Sequence, residues 1–517
     1  RLARDGAGGP VGLFEYDERI GGRLFSLAMP GMPNQPAELG GMRYIPADHA
    51  IVAGLVAHLD LATRPFPMGN PAREDPDDPA SPAIGRSRNL LYLRGRQFTQ
   101  ADFRDPAKVP YALLPAERGL SPTELQFRVM RLIGGDSGMS TEEWCDFEAF
   151  GRPLYELGFW NLLSRTLSHE AYAFMTEAGG YMANTANANA VYQLPATEYG
   201  DHDVAYRALS EGFETLPRTL ESRFRAHGGE TRKGQALRHI ERRGDGAYRL
   251  VFSPTAWRDG ERVIDRAAPT QEVSAGQVIL AMPRRALELI DWAPFEGDDG
   301  LRRNLRSVLV QQAFKLVLGY AAPWWRELGL HAGRSTTDLP LRQTYYLGSE
   351  ADYGDDGNRS ALMIAGYSDM AAVPFWRGLE RDASFAGHAT RFTGGESPVP
   401  AHPRPVTRGM VEAAQRQLAL MHGLEAVPPP YTAAYHDWSD DPFGGGWHEW
   451  KAGYRYPDVI ARMMRPLASE NVYVCGEAYS SRQGWVEGSL DTAETMLERH
   501  LGLARPGWLG DGWRAGG

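Results

Sequence analysis

Two short stretches hold side chains whose types and spacing could do chemistry. EYDERIGGR, residues 15 to 23, places an acid at the end of an apolar run, then an arginine, two glycines and a second arginine. Glycines let a backbone approach a pyrophosphate closely, and Arg23 could neutralise it. A carboxylate at a strand end, Glu15, can receive ribose hydroxyls or simply face water. AELGGMRYIP, residues 37 to 46, sets Arg43 behind a glycine pair. A solvated surface arginine is the commoner outcome, but a guanidinium flanked by Met42 and Tyr44 is also suited to fork onto a carboxylate or phosphate.

The elements that must position these residues are legible by period. PVGLFE, residues 10 to 15, reads as a strand following a helix that ends near RLARDG. From about 122 to 225 the pattern is helical. SPTELQFRVMRLI opens with a Ser-Pro start and a Glu at capping-box spacing, and LSEGFETLPRTLESRF continues at helical period. Between them, GGYMANTANANAV reads as a polar loop rather than as chemistry. LRHIERRGDGAYRLVF, 237 to 252, is two strands around a Gly-Asp-Gly turn. VSAGQVILAMPRRALELI is a buried strand running into a Pro-started helix. SVLVQQAFKLVLGY, 307 to 320, alternates like one long strand, and ALMIAGY, 361 to 367, is another. The last helix presents an apolar face of Val486, Leu490, Ala493, Leu497 and Leu501. Residues 69 to 92, rich in Pro and Asp, read as a surface excursion.

Bulk properties narrow the function. At 517 residues the chain exceeds one core, and the size prior gives about three lobes. The formal charge of -10, without a block of like charges, argues against nucleic acid or an anionic membrane surface as the main partner. A small molecule is the better expectation. Cys145 and Cys475 cannot make a disulfide framework and read as buried or free thiols. No apolar run reaches transmembrane length, and the first residues are not a signal peptide. Without H-E-x-x-H, a Cys cluster or G-x-S-x-G, zinc and serine-hydrolase chemistry fit poorly, and no metal is expected.

EYDERIGGR together with GEAYSSRQGWVEGS, 476 to 489, resembles the flavin-containing amine oxidase family at its two most recognisable cofactor motifs. The likeness extends through ELGGMRYIP, VILAMPRRAL, FKLVLGYAAPWW and STTDLPLRQTYY, and is nearest to the FAD-dependent L-amino acid oxidases. It implies an α/β fold: a Rossmann-like FAD-binding domain from 1–60, 228–305 and 465–517, a mixed-sheet substrate domain from 61–114 and 306–464, and a helical lobe at 115–227. The strand one and G-x-G-x-x-G loop of such a domain are absent from the sequence given, and a late start is the favoured explanation.

In that family the arginine of a G-x-M-R-x-P segment holds the substrate carboxylate, which gives Arg43 its role, although one extra residue precedes Pro46 here. Lys315 matches the lysine that bonds a water beside flavin N5, a catalytic role, against the ordinary alternative of a strand lysine facing solvent. Tyr367 matches a second carboxylate contact, at even odds with a structural tyrosine. Gly484 and Trp485 match the substrate amine acceptor and the indole wall, and Trp447 is expected to line the pocket. Non-covalent FAD would be held by Glu15, Gly22, Arg23, Gly40, Gly41, Met42, Leu237, Glu477, Trp485, Val486 and Ser489, with the last helix's dipole near N1 and O2. Tyr345, Tyr346, Trp438, His448 and Trp450 read as structural. The implied reaction is oxidative deamination of an L-amino acid with O2 as the second substrate, giving a 2-oxo acid, ammonia and hydrogen peroxide. An amino-acid 2-monooxygenase that yields the amide, and a flavin-free binding or scaffold relative, are the alternatives. A homodimer is expected from the family. A cytoplasmic location is favoured without excluding secretion.

Overall fold

The computed structural model describes residues 1–5, 9–68, 89–195, 204–258, 261–355, 357–385, 390–391, 405–439, 442–510 and 513. Most of the expected surface excursion at 69–92, and the glycine following the first helix Leu2–Asp5, lie outside them.

The floor of the site is a seven-stranded sheet in the order Thr432–Asp437, Ala313–Tyr320, Ala361–Asp369, Gln343–Ser349, Gly333–Thr337, Leu90–Leu93, Arg96–Thr99. The strand Ala313–Tyr320 is buried at every position. Phe314, Leu316, Leu318 and Tyr320 pack with Trp376 and Met410 on one face, and Val317 packs with Met42 and Tyr345 on the other. A strand covered on both faces reads as a near-continuous apolar run, so Lys315 on the second face is an inserted charge rather than an alternation. The expected single strand over 307–320 is in fact two. Val308–Gln311 belongs to a different sheet, paired antiparallel with Trp447–Trp450, and the chain changes sheets at Gln312. Gln311 and Gln312 sit at the crossing, but two polar residues within an otherwise apolar stretch also fit one alternating strand.

Two parallel strand pairs and an antiparallel sheet form the Rossmann-like part. Gly12–Phe14 runs parallel to Glu230–Arg232, and Val278–Ala281 runs parallel to Val472–Cys475. Gln235–Arg242 and Tyr248–Arg258 make the expected antiparallel pair around Gly-Asp-Gly. The free edges of the two parallel pairs line one cavity, whose volume is about 2090 Å³.

The helical part begins as its sequence predicts. Ser121 accepts from the Glu124 amide at 3.2 Å in a capping box that opens Pro122–Leu132. Trp144, Phe159 and Phe174 fill the core between its helices. The stretch LSEGFETLPRTLESRF, however, is helical only over Thr215–Ala226. Arg207–Leu209 is a strand paired with Thr63–Pro65, and Gly212 at φ +86° turns the chain between them.

The last helix, Val486–Arg499, stops short of Leu501, and its buried face includes Gly488, Thr492 and Thr495. The Gly476 amide donates to Thr492 Oγ1 at 2.9 Å, a polar clamp that an apolar pattern passes over. Val486 and Leu490 pack into one cluster and Ala493 and Leu501 into another, so the expected stripe straddles two cores. Cys145 and Cys475 are buried free thiols, as expected. Among the described residues, no helix is long and apolar enough to cross a membrane.

Candidate active site

The Arg43 segment is held by backbone approach. A Cβ on Gly40 would sit 1.9 Å from the Arg23 carbonyl oxygen, whereas one on Gly41 would meet only the end of the Leu24 side chain at 2.8 Å. Gly40→Ala should therefore cost about 3 kcal/mol and Gly41→Ala less than about 1.5 kcal/mol, because backbone cannot yield as a side-chain tip can. Urea unfolding of both variants measures this, and equal midpoints would contradict it. Downstream, the amides of Ile51 and Val52 donate to the two Glu487 carboxylate oxygens, each at 2.9 Å. That bond pair caps the helix Ala50–His58 and ties the segment to the first turn of the last helix.

Arg43 lies inside an aromatic box. Its Cζ is 4.2 Å from the Tyr206 ring centroid, 5.4 Å from Phe66 and 5.5 Å from Tyr345, and Nη1 reaches the Met68 sulfur at 2.9 Å. Among the described residues no carboxylate pairs with it. Burial opposes its charge, but the surrounding phenols outweigh burial and raise its pKa, so the guanidinium stays protonated.

Lys315 is equally enclosed. Nζ donates to the Gly40 carbonyl at 2.6 Å, touches Met42 Sδ at 3.5 Å and stands 4.4 Å from the Tyr367 ring centroid. The solvent-facing alternative for this strand lysine is thereby excluded. Burial pushes its ammonium well below the ordinary value, Glu38 opposes the push and Arg43 adds to it. Across the sheet, His436, Lys315, Tyr367 and Gln343 stand in one register row. Burial raises the Tyr367 phenol, which therefore remains a neutral donor.

Tyr181 joins them from the polar loop that sequence period assigns no chemistry. Its ring is perpendicular to Tyr367, with centroids 5.2 Å apart, and to Trp447, at 5.7 Å. Its loop is anchored by Asp369 Oδ2, which accepts from the Ala183 amide at 2.9 Å. The available signal was a lone tyrosine directly after Gly179 and Gly180. Tyr345, read as structural, forms one wall of the Arg43 box instead.

Gly484 takes φ +83°, is exposed, and lies against Trp447; Trp485 is the N-cap of the last helix and packs edge-on against His49 at 4.6 Å. Glu477 has its carboxylate fully bonded within the protein. Oε1 accepts from the amides of His448 and Gly484, each at 2.8 Å, and Oε2 accepts from Arg23 Nη1 and His448 Nδ1, each at 2.8 Å. Its acceptor capacity is spent within the protein, so it positions Arg23 and Gly484 rather than offering an oxygen to a ligand. Burial alone would raise this carboxyl, but Arg23 and His448 hold it well below the usual carboxylate range.

The large cavity carries four of the residues expected to hold a flavin dinucleotide. Glu15, Gly22, Arg23 and Leu237 line it, and so do Phe25, His436 and Trp438. Trp438, expected to be structural, thus forms wall, and its Nε1 donates to the Leu39 carbonyl at 2.7 Å, beside Gly40. The cavity therefore abuts the Arg43 and Lys315 cluster. Gly40 and Met42 touch Lys315 and, like Gly41, do not line this cavity, and Val486 and Ser489 lie in the first turn of the last helix.

The family model for flavin containing amine oxidoreductases matches residues 1–382. The chain is 30% identical to Aplysianin-A of Aplysia kurodai over 512 residues, covering 96% of this chain and 86% of that protein. It is 27% identical to Achacin of Lissachatina fulica, covering 96% and 89%, and 22% identical to an L-amino-acid oxidase of Bungarus fasciatus, covering 95% and 82%. A redesigned putrescine oxidase has the same fold, with a TM-score of 0.64 at 14% identity over 94% of this chain and 93% of its own. Gathered behind the two cofactor motifs and the cavity between the parallel strand pairs, these matches identify the chain as a member of the flavin-containing amine oxidoreductase family.

Proposed function

We propose that this protein is an FAD-dependent L-amino acid oxidase, converting its substrate to a 2-oxo acid and ammonia with O2 reduced to hydrogen peroxide. The observation that carries the reading is Arg43, a charged guanidinium in a box of Tyr206, Phe66 and Tyr345 that, among the described residues, has no carboxylate paired with it. An amine substrate without a carboxylate would leave that cation unpaired, at a cost of several kcal/mol. Several relatives that align along most of this chain are named L-amino-acid oxidases, which supports the same substrate class.

In this reading Arg43 and Tyr367 clamp the α-carboxylate, the Gly484 carbonyl accepts from the amino group, and Trp485 and Trp447 wall the reacting carbon from water. Glu15, Gly22, Arg23, the Leu237 backbone, Gly40, Gly41, Met42, Val486 and Ser489 would hold FAD. When bound there, FAD supplies the two-electron acceptor for the Cα hydride and returns the electrons to O2. Lys315, beside Gly40 and Tyr367, holds or moves a proton at Nζ. The same reading divides the chain into an FAD-binding domain of 1–60, 228–305 and 465–517, a substrate domain of 61–114 and 306–464, and a helical lobe of 115–227. Tyr181 is that lobe's contribution to the pocket.

The test is the visible spectrum of the purified protein before and after anaerobic addition of mixed L-amino acids. Bleaching of a flavin band is expected. A coloured protein that no L-amino acid bleaches would overturn the substrate assignment.

A further inference from the structure

Among the described residues, Arg43 is not alone in lacking a carboxylate. Arg334, on Gly333–Thr337, is 4% exposed and lies opposite Tyr345 in register. Its Nη1 donates to Gln343 Oε1 at 2.9 Å, and Tyr345 donates its hydroxyl to the same oxygen at 3.1 Å. Two buried donors of this cluster, Arg334 Nε and Gln343 Nε2, have no acceptor, and among the described residues no carboxylate pairs with the guanidinium. Neighbouring Arg342, equally buried, also leaves its Nε without an acceptor among the described residues but differs in its other donors and in its charge balance. Its Nη1 and Nη2 are spent on the backbone carbonyls of Thr337, Thr176, Glu177 and Gly180, and Asp369 offsets its charge. A buried cation with orphan donors beside it carries a large penalty unless an anion arrives.

Position makes that anion part of the substrate. From the cavity wall the register row runs His436, Lys315, Tyr367, Gln343, so Gln343 is about 10 Å from Lys315 at two strand spacings. Gly180, at φ +92°, brings the backbone before Tyr181 to within 3.1 Å of Arg334 Nη1, measured from where its Cβ would be. The cluster therefore lies at the end of that row remote from the cavity-lining His436, with Tyr345 in contact with Arg43 and opposite Arg334 in register. Burial would raise the Tyr345 phenol, but Arg43 and Arg334 outweigh it and leave the phenol below its ordinary value, a sign of uncompensated positive charge. The acids nearby do not reverse this. Burial pushes Glu449 up to about 8, which leaves it protonated at neutral pH, and Asp369 faces Arg342.

Resting on the proposed oxidase reading, we infer that the preferred substrates are L-amino acids with a second carboxylate, recognised by Arg334 and Gln343 while Arg43 takes the α-carboxylate. The experiment is a set of kcat/KM values for L-glutamate, L-aspartate, L-glutamine, L-leucine and L-lysine, measured on the wild-type holoenzyme and on Arg334→Gln and Gln343→Glu. In the wild type one of the two acidic substrates should exceed L-leucine and L-lysine on the order of 100-fold, and both variants should reduce that preference at least about 30-fold. Gln343→Glu supplies the missing carboxylate in place and serves if Arg334→Gln does not fold. Perturbation of the wild-type flavin spectrum by glutarate but not by butyrate would support the second anion site without turnover. L-Leucine or L-lysine as the best substrate, or a preference unchanged within about twofold in a folded variant, would overturn the inference and leave the oxidase reading standing. Bleaching by no L-amino acid would remove both.

Discussion

Replacement of Arg43 by alanine is expected to raise KM for the best L-amino acid by about 100- to 1,000-fold. The carboxylate would enter a box of Tyr206, Phe66 and Tyr345 that retains its rings and loses its charge. Part of the loss should fall on kcat as well, because the same contact orients the reacting carbon and not only the bound substrate. Arg43→Lys restores a charge without the planar fork, so it should recover only part of the affinity. The informative comparison is an amine made by removing the carboxylate from the best substrate. Wild type should prefer the amino acid strongly, and Arg43→Ala should prefer neither. Retention of the preference in Arg43→Ala, or kcat/KM within about threefold of wild type, would place the carboxylate elsewhere.

The sequence shows those parts of this site that are local. Glu15, Arg23 and the Gly40–Arg43 run are adjacent in the chain, and close approach there is written as glycine, most clearly at Gly40, where no Cβ fits. Lys315 is visible as a charge within an apolar strand, although its neighbours do not tell which way it points. The register with Tyr367 and the bond to Gly40 settle that. The rest is assembled over long range. Tyr181 comes from a loop of the helical part, Tyr345 and Arg334 from adjacent strands, and Trp447 from a strand paired with Val308–Gln311. Nothing in the local pattern distinguishes a tyrosine buried for packing from one buried against a guanidinium. Glu477 shows the converse. Its motif is conspicuous, yet its carboxylate is consumed by Arg23, His448 and Gly484. The sheet break at Gln312 is assembled over long range too, since Val308–Gln311 pairs with Trp447–Trp450 while Ala313–Tyr320 pairs with Ala361–Asp369 and Thr432–Asp437.

Replacement of Lys315 by methionine is expected to slow flavin reduction or reoxidation on the order of 100-fold while FAD remains bound, because a buried proton-carrying group is lost and the side-chain volume is kept. The Gly40 carbonyl loses its 2.6 Å donor, which alone would predict a small structural cost. Two pH readouts separate the chemical role from the structural one. Burial lowers the ammonium's pKa in the folded protein, so the neutral amine accumulates at pH values where an ordinary lysine is still charged. A wild-type limb in which the slowed half-reaction accelerates with pH through that depressed value should vanish in Lys315→Met. Stability should follow the same group. Between the depressed folded pKa and the ordinary lysine value of 10.5, the unfolded chain binds a proton that the folded chain does not, so the Lys315 contribution makes wild-type stability rise with pH across that window. Below the window both states are protonated and the folded state carries the full burial penalty, which methionine removes. Lys315→Met should thus gain stability relative to wild type as pH falls while losing rate. A variant that unfolds more easily at neutral pH and keeps the wild-type pH limb would assign the limb to another group and leave Lys315 only a packing role.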